Sequence, residues 1–157
     1  MKTLCRLYLK CADLASRLKS PFLLAVRLYW GWQLVQSGWG KLHHLDRVSE
    51  FFTSLNLPAP GVTAHFVSGL ELIGGIALIL GLGTRLFGLM MTVNMLVAYW
   101  TADHEALTAF FSDPGKFYNA DPYTFLFAAL IALIFGAGLF SMDAALERVY
   151  RKRIEEP

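Results

Sequence analysis

The sequence predicts an all-α membrane protein, a bundle of four transmembrane helices with short amphipathic helices in the two outer loops. Apolar residues make up 55% of the 157 residues and charged residues only 17%, whereas soluble domains carry roughly a quarter charged residues. The apolar residues gather in four long runs, and most basic residues fall outside them. These observations indicate one domain that is embedded in a lipid bilayer.

Each of the four runs approaches the ~20 residues that a helix needs to cross a bilayer. Because backbone groups cannot stay unpaired in lipid, each run is expected to be helical. The runs are Pro21–Gly38, Val62–Leu82, Leu86–Thr101 and Pro122–Phe140. The chain therefore divides into a basic N-terminal segment (1–20), a membrane domain (21–143) and a basic tail (144–157). The first run lacks the cleavage site of a signal peptide and is expected to be a retained span.

The distribution of basic residues predicts the orientation. Most of the 14 Lys and Arg residues lie in the N-terminal segment, the tail, or at Arg85 between the second and third runs. The positive-inside rule then places both termini in the cytoplasm and the loops 39–61 and 102–121 outside. Apolar residues recur on one helical face in both loops, which predicts short helices there. These helices either lie on the membrane surface or form a lid over the bundle.

Two ionisable residues, Arg27 and Glu71, fall inside the predicted spans, where charged groups are costly and often functional. Each lies on a helical face rich in small residues, where membrane helices approach closely. These faces carry Arg27, Gly31, Leu34, Gly38 and Lys41 in the first span and Ala64, Ser68, Glu71, Gly74, Gly75 and Leu78 in the second. We expect the two faces to pack together and Arg27 to pair with Glu71 in a dry site.

Such a pair has two interpretations. It could fix the packing of two helices without any chemistry, or it could line a polar pocket that binds a small ligand or moves a proton. In the second interpretation Glu71 accepts or relays a proton, while Arg27 holds it ionised or positions a ligand oxygen. The predicted ligand-binding residues are Asn94, Lys41, His104, Gly74 and Gly75. Gln33 is predicted to point away from this site.

Other chemistries find little support in the sequence. The four histidines have no metal-ligand spacing, and no metal site is predicted. Cys5 and Cys11 fit neither a redox pair nor a zinc site, and they are expected to be unpaired thiols. A net charge of +2 without a basic run interleaved with aromatic residues argues against nucleic acid as a partner.

The sequence also resembles the DoxX family of small bacterial membrane proteins. The resemblance spans residues 22–145 and is carried by Arg27, "SGWGKL" (37–42), "LNLPAPG" (55–61), "LELIGGIALILGLGTR" (70–85), His104 and "GLFSMD" (138–143). It implies a four-helix, redox-linked domain in the bacterial cytoplasmic (inner) membrane, similar to subunits of a thiosulfate:quinone oxidoreductase. Partners that handle oxidants or thiols are also implied. The corresponding family positions are Arg27, Lys41, Glu71, Arg85 and His104.

Two functional hypotheses follow. The first is a redox-associated membrane subunit, at most part of a quinone-linked oxidoreductase, which binds quinone or another small apolar ligand near Arg27, Glu71 and Asn94. Its electrons would come from a partner or a bound cofactor. The alternative is a non-catalytic membrane scaffold that docks redox or thiol-handling proteins, with Arg27 and Glu71 as an internal clamp. The sequence does not identify a cofactor, although it is compatible with quinone. It also does not decide between a monomer and a homo-oligomer.

Overall fold

The computed structural model describes the backbone of residues 2–155 and the side chains of residue 6 and of residues 9–151. All regular secondary structure in this part of the chain is α-helical, so the all-α prediction is confirmed. The helices are α1 (Lys2–His43), α2 (Leu45–Ser54), α3 (Pro60–Leu80), α4 (Thr84–Thr101), α5 (His104–Thr108), α6 (Pro114–Asn119), α7 (Pro122–Phe135) and α8 (Met142–Glu155).

Helices α1, α3, α4 and α7 form the bundle as two packed pairs. Helix α1 packs against α3, and α4 packs against α7. Contacts between α3 and α4 and between α1 and α7 join the pairs, and α2 packs on α3. We call the end of the bundle that carries α2, α5 and α6 the short-helix end. The opposite end, with the α3–α4 connection and the start of α8, is the turn end.

Glycines allow α1 and α3 to approach closely. A Cβ atom on Gly75 would lie 2.7 Å from the carbonyl oxygen of Gly31, and one on Gly38 would lie 2.7 Å from that of Ser68. Such distances exclude any larger side chain unless the backbones separate. The predicted packing of the two small-residue faces is therefore confirmed.

The turn end is closed by a short glycine-containing connection and by the start of α8. Gly81 and Gly83 adopt φ values of 67° and 57°, in the left-handed region that glycine tolerates best. The carboxylate of Asp143 accepts hydrogen bonds from the backbone N–H groups of Gly83 (2.7 Å) and Thr84 (2.9 Å). Asp143 thereby pairs free N–H groups at the start of α4, where negative charge is favourable.

Large apolar side chains are exposed on all four bundle helices. Examples are Trp32 on α1 (57% exposed), Ile73 on α3 (58%), Val93 on α4 (53%) and Ile134 on α7 (62%). Within residues 2–155, α3 alone is both long and apolar enough to cross a membrane by length and composition. Helix α7 is apolar but has only 14 residues.

Several predicted boundaries differ from the structure. Helix α1 continues through Pro21 back to Lys2, because the basic segment is rich in Leu, Lys, Arg and Ala, which favour helix. The fourth run was expected to reach Phe140, but α7 ends at Phe135 because Gly136 turns the chain with φ 71°. The predicted loop helices are present as α2 and α5, and the second loop adds α6.

Candidate functional site

The carboxylate of Glu71 is buried in α3, with the residue only 2% exposed. The ammonium group of Lys41 donates a hydrogen bond to Oε1 at 2.5 Å, and the hydroxyl of Ser37 donates one to Oε2 at 2.8 Å. Both partners come from α1. Since an unpaired buried carboxylate is costly, these two side chains explain how the charge is accommodated.

The local sequence places both partners correctly. Ser37 and Lys41 are four residues apart, so they occupy one face of α1 on successive turns. Gly38 lies between them and brings the backbone of α1 against Ser68 and Leu72 of α3. This close approach brings the short Ser37 side chain within hydrogen-bonding distance of Glu71. The Lys41 side chain is 35% exposed and that of Glu71 3%, so the ion pair has one open side.

The predicted pairing of Arg27 with Glu71 is wrong. Arg27 is also only 2% exposed, but its guanidinium donates hydrogen bonds to backbone carbonyls. Nη2 lies 2.5 Å from the carbonyl oxygen of Phe140, and Nη1 lies 3.4 Å from that of Leu78. Arg27 therefore joins α1 to the end of α3 and to the segment that precedes α8.

The register of the two helices explains this error. Gly31 lies opposite Gly75, and Gly38 lies opposite Ser68, which puts Arg27 beside the turn end of α3. Ser37 lies farther along α1, about 15 Å from Arg27 at 1.5 Å per residue. An arginine side chain cannot cover this offset, whereas the side chain of Lys41, one turn beyond Ser37, reaches Glu71.

A cleft of about 1040 Å³ adjoins the Lys41–Glu71 pair. It extends between α1, α3, α4 and the start of α7, and α2 and α6 contribute to it at the short-helix end. Its polar lining near the ion pair is Gln33, Ser37, Lys41, Glu71 and Asn94, and its aromatic lining is Tyr29, Trp30, Phe51, Phe52, Tyr118 and Phe125. The cleft therefore combines polar side chains near one charged pair with extensive apolar and aromatic surface.

The structure brings together three of the predicted site residues, since Lys41, Glu71 and Asn94 all line the cleft. The other four lie elsewhere. Arg27 is at the turn end, as described above. A Cβ on Gly74 would lie 2.8 Å from Met91 Cε on α4, while Gly75 contacts the backbone of α1, so both glycines serve helix packing. His104 is exposed and lies edge-on to Trp100, with ring centroids 5.2 Å apart.

Sequence reasoning missed two polar residues of the cleft, Ser37 and Gln33. The spacing of Ser37 and Lys41 could have revealed Ser37, because it places a hydroxyl one turn from a cation on the same face. Gln33 was predicted to point away from the site because it lies off the face of α1 that carries Arg27. The cleft lies beside that face, so Gln33 contributes to its wall.

Further charged residues line the cleft toward the short-helix end, namely Arg47, Asp103 and Asp121. Burial raises the pKa of the Asp103 carboxyl above its usual value, and the negative charge of Asp121 raises it further. This part of the cleft therefore favours a protonated carboxyl group more than water does.

The described histidines and Cys11 do not assemble into a site. His43 and His65 each place Nδ1 near a backbone carbonyl one turn earlier, at 2.9 Å and 2.8 Å. In the described part of the chain, no three His, Cys, Asp or Glu side chains lie close enough to hold a metal ion. Cys11 is an exposed free thiol, while the side chain of Cys5 lies outside the described residues.

Comparison with known proteins identifies the family. The model of the DoxX family matches residues 22–104, just over half of the chain. An uncharacterized protein of Haemophilus influenzae is 30% identical over 132 residues, which cover 82% of this chain and 85% of that protein. This chain belongs to the DoxX family. It is therefore a membrane protein, and Arg27, Lys41, Glu71, Arg85 and His104 all lie within the region that the DoxX model matches.

A second relative of this DoxX protein is from Bacillus subtilis and is named "Putative oxidoreductase CatD". It is 29% identical over 83 residues, which cover 53% of this chain and 60% of that protein. No solved structure matches the chain significantly.

Proposed function

We propose that this DoxX protein is a redox-associated membrane subunit that binds quinone, or a chemically similar amphiphile, in the cleft beside Glu71. The observation that carries the proposal is a buried carboxylate, paired with two side chains of α1, at the wall of a large and mostly apolar cleft. The name of the Bacillus subtilis relative agrees with a redox role.

The proposal includes a bundle in which α1, α3, α4 and α7 all cross the membrane. Exposed apolar side chains on each of these helices support it, because a soluble protein rarely exposes so much contiguous apolar surface. The basic residues of the first and last segments support an orientation with the turn end in the cytoplasm and the short-helix end outside. In a bacterial cell this membrane would be the cytoplasmic membrane.

The cleft suits a quinone in size and in chemistry. Its volume of about 1040 Å³ is at the upper end of ligand pockets, which range over roughly 300–1,000 Å³. Lys41, Gln33 and Asn94 offer hydrogen-bond donors for carbonyl oxygens, and the aromatic residues of the wall offer faces against which a ring can pack.

The residues of the cleft have separate roles in this proposal. A bound quinone supplies a two-electron acceptor whose reduction takes up two protons. Glu71 is the group that can hold and release a proton at the wall of the cleft. Lys41 stabilises the ionised form of Glu71, and Ser37 orients one of its oxygens. Electrons would enter from a partner protein or from a second bound cofactor.

The alternative is that Lys41 and Glu71 act only as a clamp between α1 and α3 in a scaffold that docks other proteins. The bridging geometry of the pair favours this reading. Substitution Glu71→Gln distinguishes the two, because glutamine keeps the shape of the side chain but replaces one acceptor oxygen with an NH2 donor and cannot transfer a proton. Glu50→Gln, at an exposed position of α2, is the matched control.

The measurement is equilibrium binding of a benzoquinone with a decyl tail to the protein in lipid nanodiscs. Quenching of Trp30 reports binding when Trp32, Trp39 and Trp100 are replaced by phenylalanine, since Trp30 lines the cleft. We expect Glu71→Gln to weaken binding tenfold or more at normal abundance, and Glu50→Gln to change nothing. A collapse of abundance supports the clamp instead, and unchanged binding and abundance reject both roles.

A further inference from the structure

We infer that the cleft has a side opening between α1 and α7, through which its occupant arrives from the lipid phase rather than from water. This inference deepens the proposed function and rests on it for the identity of the ligand. It commits to a ligand class: an amphiphile whose polar head reaches the Lys41–Glu71 pair while its apolar tail remains in the bilayer.

Contacts that close the gap between α1 and the region of α7 lie at the turn end. The ammonium of Lys19 lies 5.4 Å from the ring centroid of Phe135. Leu23 lies beside Gly138, where a Cβ atom would be 3.4 Å from its Cδ1. Closer to the short-helix end, residues of both helices line the cleft instead. These are Tyr29 and Gln33 on α1 and Thr124 and Phe125 on α7.

Tyr29 carries the argument for a side opening. It lines the cleft and yet is 59% exposed. It lies about 21 Å along α1 from the end of the helix at His43, at 1.5 Å per residue. Its neighbours Leu28 (45%) and Trp32 (57%) are also exposed. A residue this far from the helix end is exposed through the side of the bundle, at the level of the apolar surface. Thr124, across the gap on α7, is exposed as well.

Apolar residues of α2 cover part of the short-helix end. Val48, Phe52 and Leu55 of α2 line the cleft there and are all partly buried. Arg47, Asp103 and Asp121 line the same end, so the apolar cover there is incomplete. The apolar residues of α2 and the exposed apolar side chains beside Tyr29 favour a ligand with a hydrocarbon tail over a small hydrophilic ion.

A spin label tests the opening without any ligand. A nitroxide is attached to Gln33→Cys in a chain whose Cys5 and Cys11 are replaced by serine, in phosphatidylcholine–phosphatidylglycerol vesicles. Its collisions with oxygen, which concentrates in lipid, are compared with those with a water-soluble nickel chelate. Val93→Cys on the apolar face of α4 is the lipid reference, and Glu50→Cys, at an exposed position of α2 outside the cleft, is the water reference. We expect position 33 to resemble Val93→Cys. A ratio like that of Glu50→Cys would overturn the inference.

A second experiment blocks the opening. Thr124→Trp places a large ring at the gap, while Phe127→Trp changes an outward-facing residue of the same helix that is 55% exposed. Association rates are measured for the decyl-tailed benzoquinone in vesicles and for the same ring without its tail, added from water. We expect Thr124→Trp to slow the tailed compound at least fivefold and the tailless ring by less than twofold. Equal effects on both compounds would contradict a side opening.

The two experiments also separate the possible failures. If the unmodified protein binds neither benzoquinone, the proposed function is wrong, whereas the spin-label ratio still decides whether the cleft opens to lipid. If both compounds bind and position 33 is reached from water, the proposed function stands and the side opening is rejected.

Discussion

Arg27 and Glu71 are equally buried, each only 2% exposed, yet they are accommodated in different ways. Arg27, at the turn end, donates to the backbone carbonyls of Leu78 and Phe140. Glu71, toward the short-helix end, accepts from the side chains of Ser37 and Lys41 and borders an open cleft. The first charge is tied to main chain that cannot move without disturbing the fold, while the second is held by side chains that can rearrange.

The comparison shows that burial of an ionisable group in an apolar chain does not by itself identify a functional residue. The identity of the partners is more informative. A cation that pairs carbonyls at a helix end serves the architecture. A carboxylate held by an ammonium and a hydroxyl beside a cavity retains the means to exchange a proton. The following substitutions test that distinction, from the largest expected effect to the smallest.

The largest effect is expected for Arg27→Met. The substitution leaves the carbonyls of Leu78 and Phe140 without their donor and Asp143 without a nearby cation. A buried hydrogen-bonding group left unsatisfied costs about 1–3 kcal/mol, and two carbonyls lose their donor here, so we expect loss of folded protein in membranes and a large fall in the unfolding temperature in detergent. Arg17→Met is the control, because Arg17 makes only an exposed pair with Asp13. A stable Arg27→Met protein with impaired quinone binding would reverse the roles assigned to the two ends.

A second substitution, Gly75→Leu, tests whether the α1–α3 contact holds the Lys41–Glu71 pair in place. The added side chain collides with the carbonyl oxygen of Gly31 and the amide nitrogen of Val35. Overpacking of this kind costs about 1–3 kcal/mol, and separation of the helices should weaken quinone binding as well. Gly69→Ala on the same helix is the control, since its Cβ meets nothing within 4 Å. Equal stability of the two variants would show that the close approach contributes little.

Asp143→Ala should have a smaller effect, confined to the turn end. It removes the two hydrogen bonds to the N–H groups of Gly83 and Thr84. Loss of a side-chain cap at a helix start costs about 0.5–2 kcal/mol, and quinone binding should be unaffected because Asp143 is remote from the cleft. Thermal unfolding and the Trp30 quenching assay measure the two quantities. A change in binding without loss of stability would contradict this assignment.

The smallest expected effect is on the pH dependence of the free energy of unfolding, to which Asp103 contributes. Its pKa is raised in the folded chain by burial and then by Asp121, above the usual value of about 3.9. The folded state therefore binds the proton more tightly, so this contribution is present below about pH 4 and is lost as pH rises through the folded pKa. We expect Asp103→Asn to unfold at a more constant temperature between about pH 4 and pH 7. The exposed Asp46→Asn serves as control and should keep the pH profile of the unmodified chain.

The helical fold followed directly from the sequence, because backbone groups in apolar runs must be paired and the small-residue faces of α1 and α3 had a clear period. The ends of the helices were harder to predict. The end of α7 depends on Gly136 adopting a left-handed φ, which composition alone does not specify. The continuation of α1 through Pro21 depends on the helix propensity of residues 2–20, which were predicted to form a segment separate from the first span.

The site was partly predictable. Glu71 and Lys41 were each placed on the correct face, but their pairing required the axial register of α1 and α3. That register is set by contacts of Gly31 and Gly38 with the α3 backbone, and helical periodicity does not contain this information. Asn94 was among the predicted ligand-binding residues, whereas Ser37 and Gln33 were missed because the prediction considered one helical face and not the wall of a cavity.

The contacts at the turn end join parts of the chain that are made at very different times. Arg27 and Phe140 are 113 residues apart in the sequence. Ser20 and Leu139 are 119 residues apart, and the hydroxyl of Ser20 accepts a hydrogen bond from the backbone N–H of Leu139. During synthesis, α1 and α3 can associate as soon as both have emerged from the ribosome. The guanidinium of Arg27 cannot form its hydrogen bond to Phe140 until the segment after α7 has been made. The final assembly of this bundle is therefore a late event, completed only when the ribosome has delivered residues 139–143.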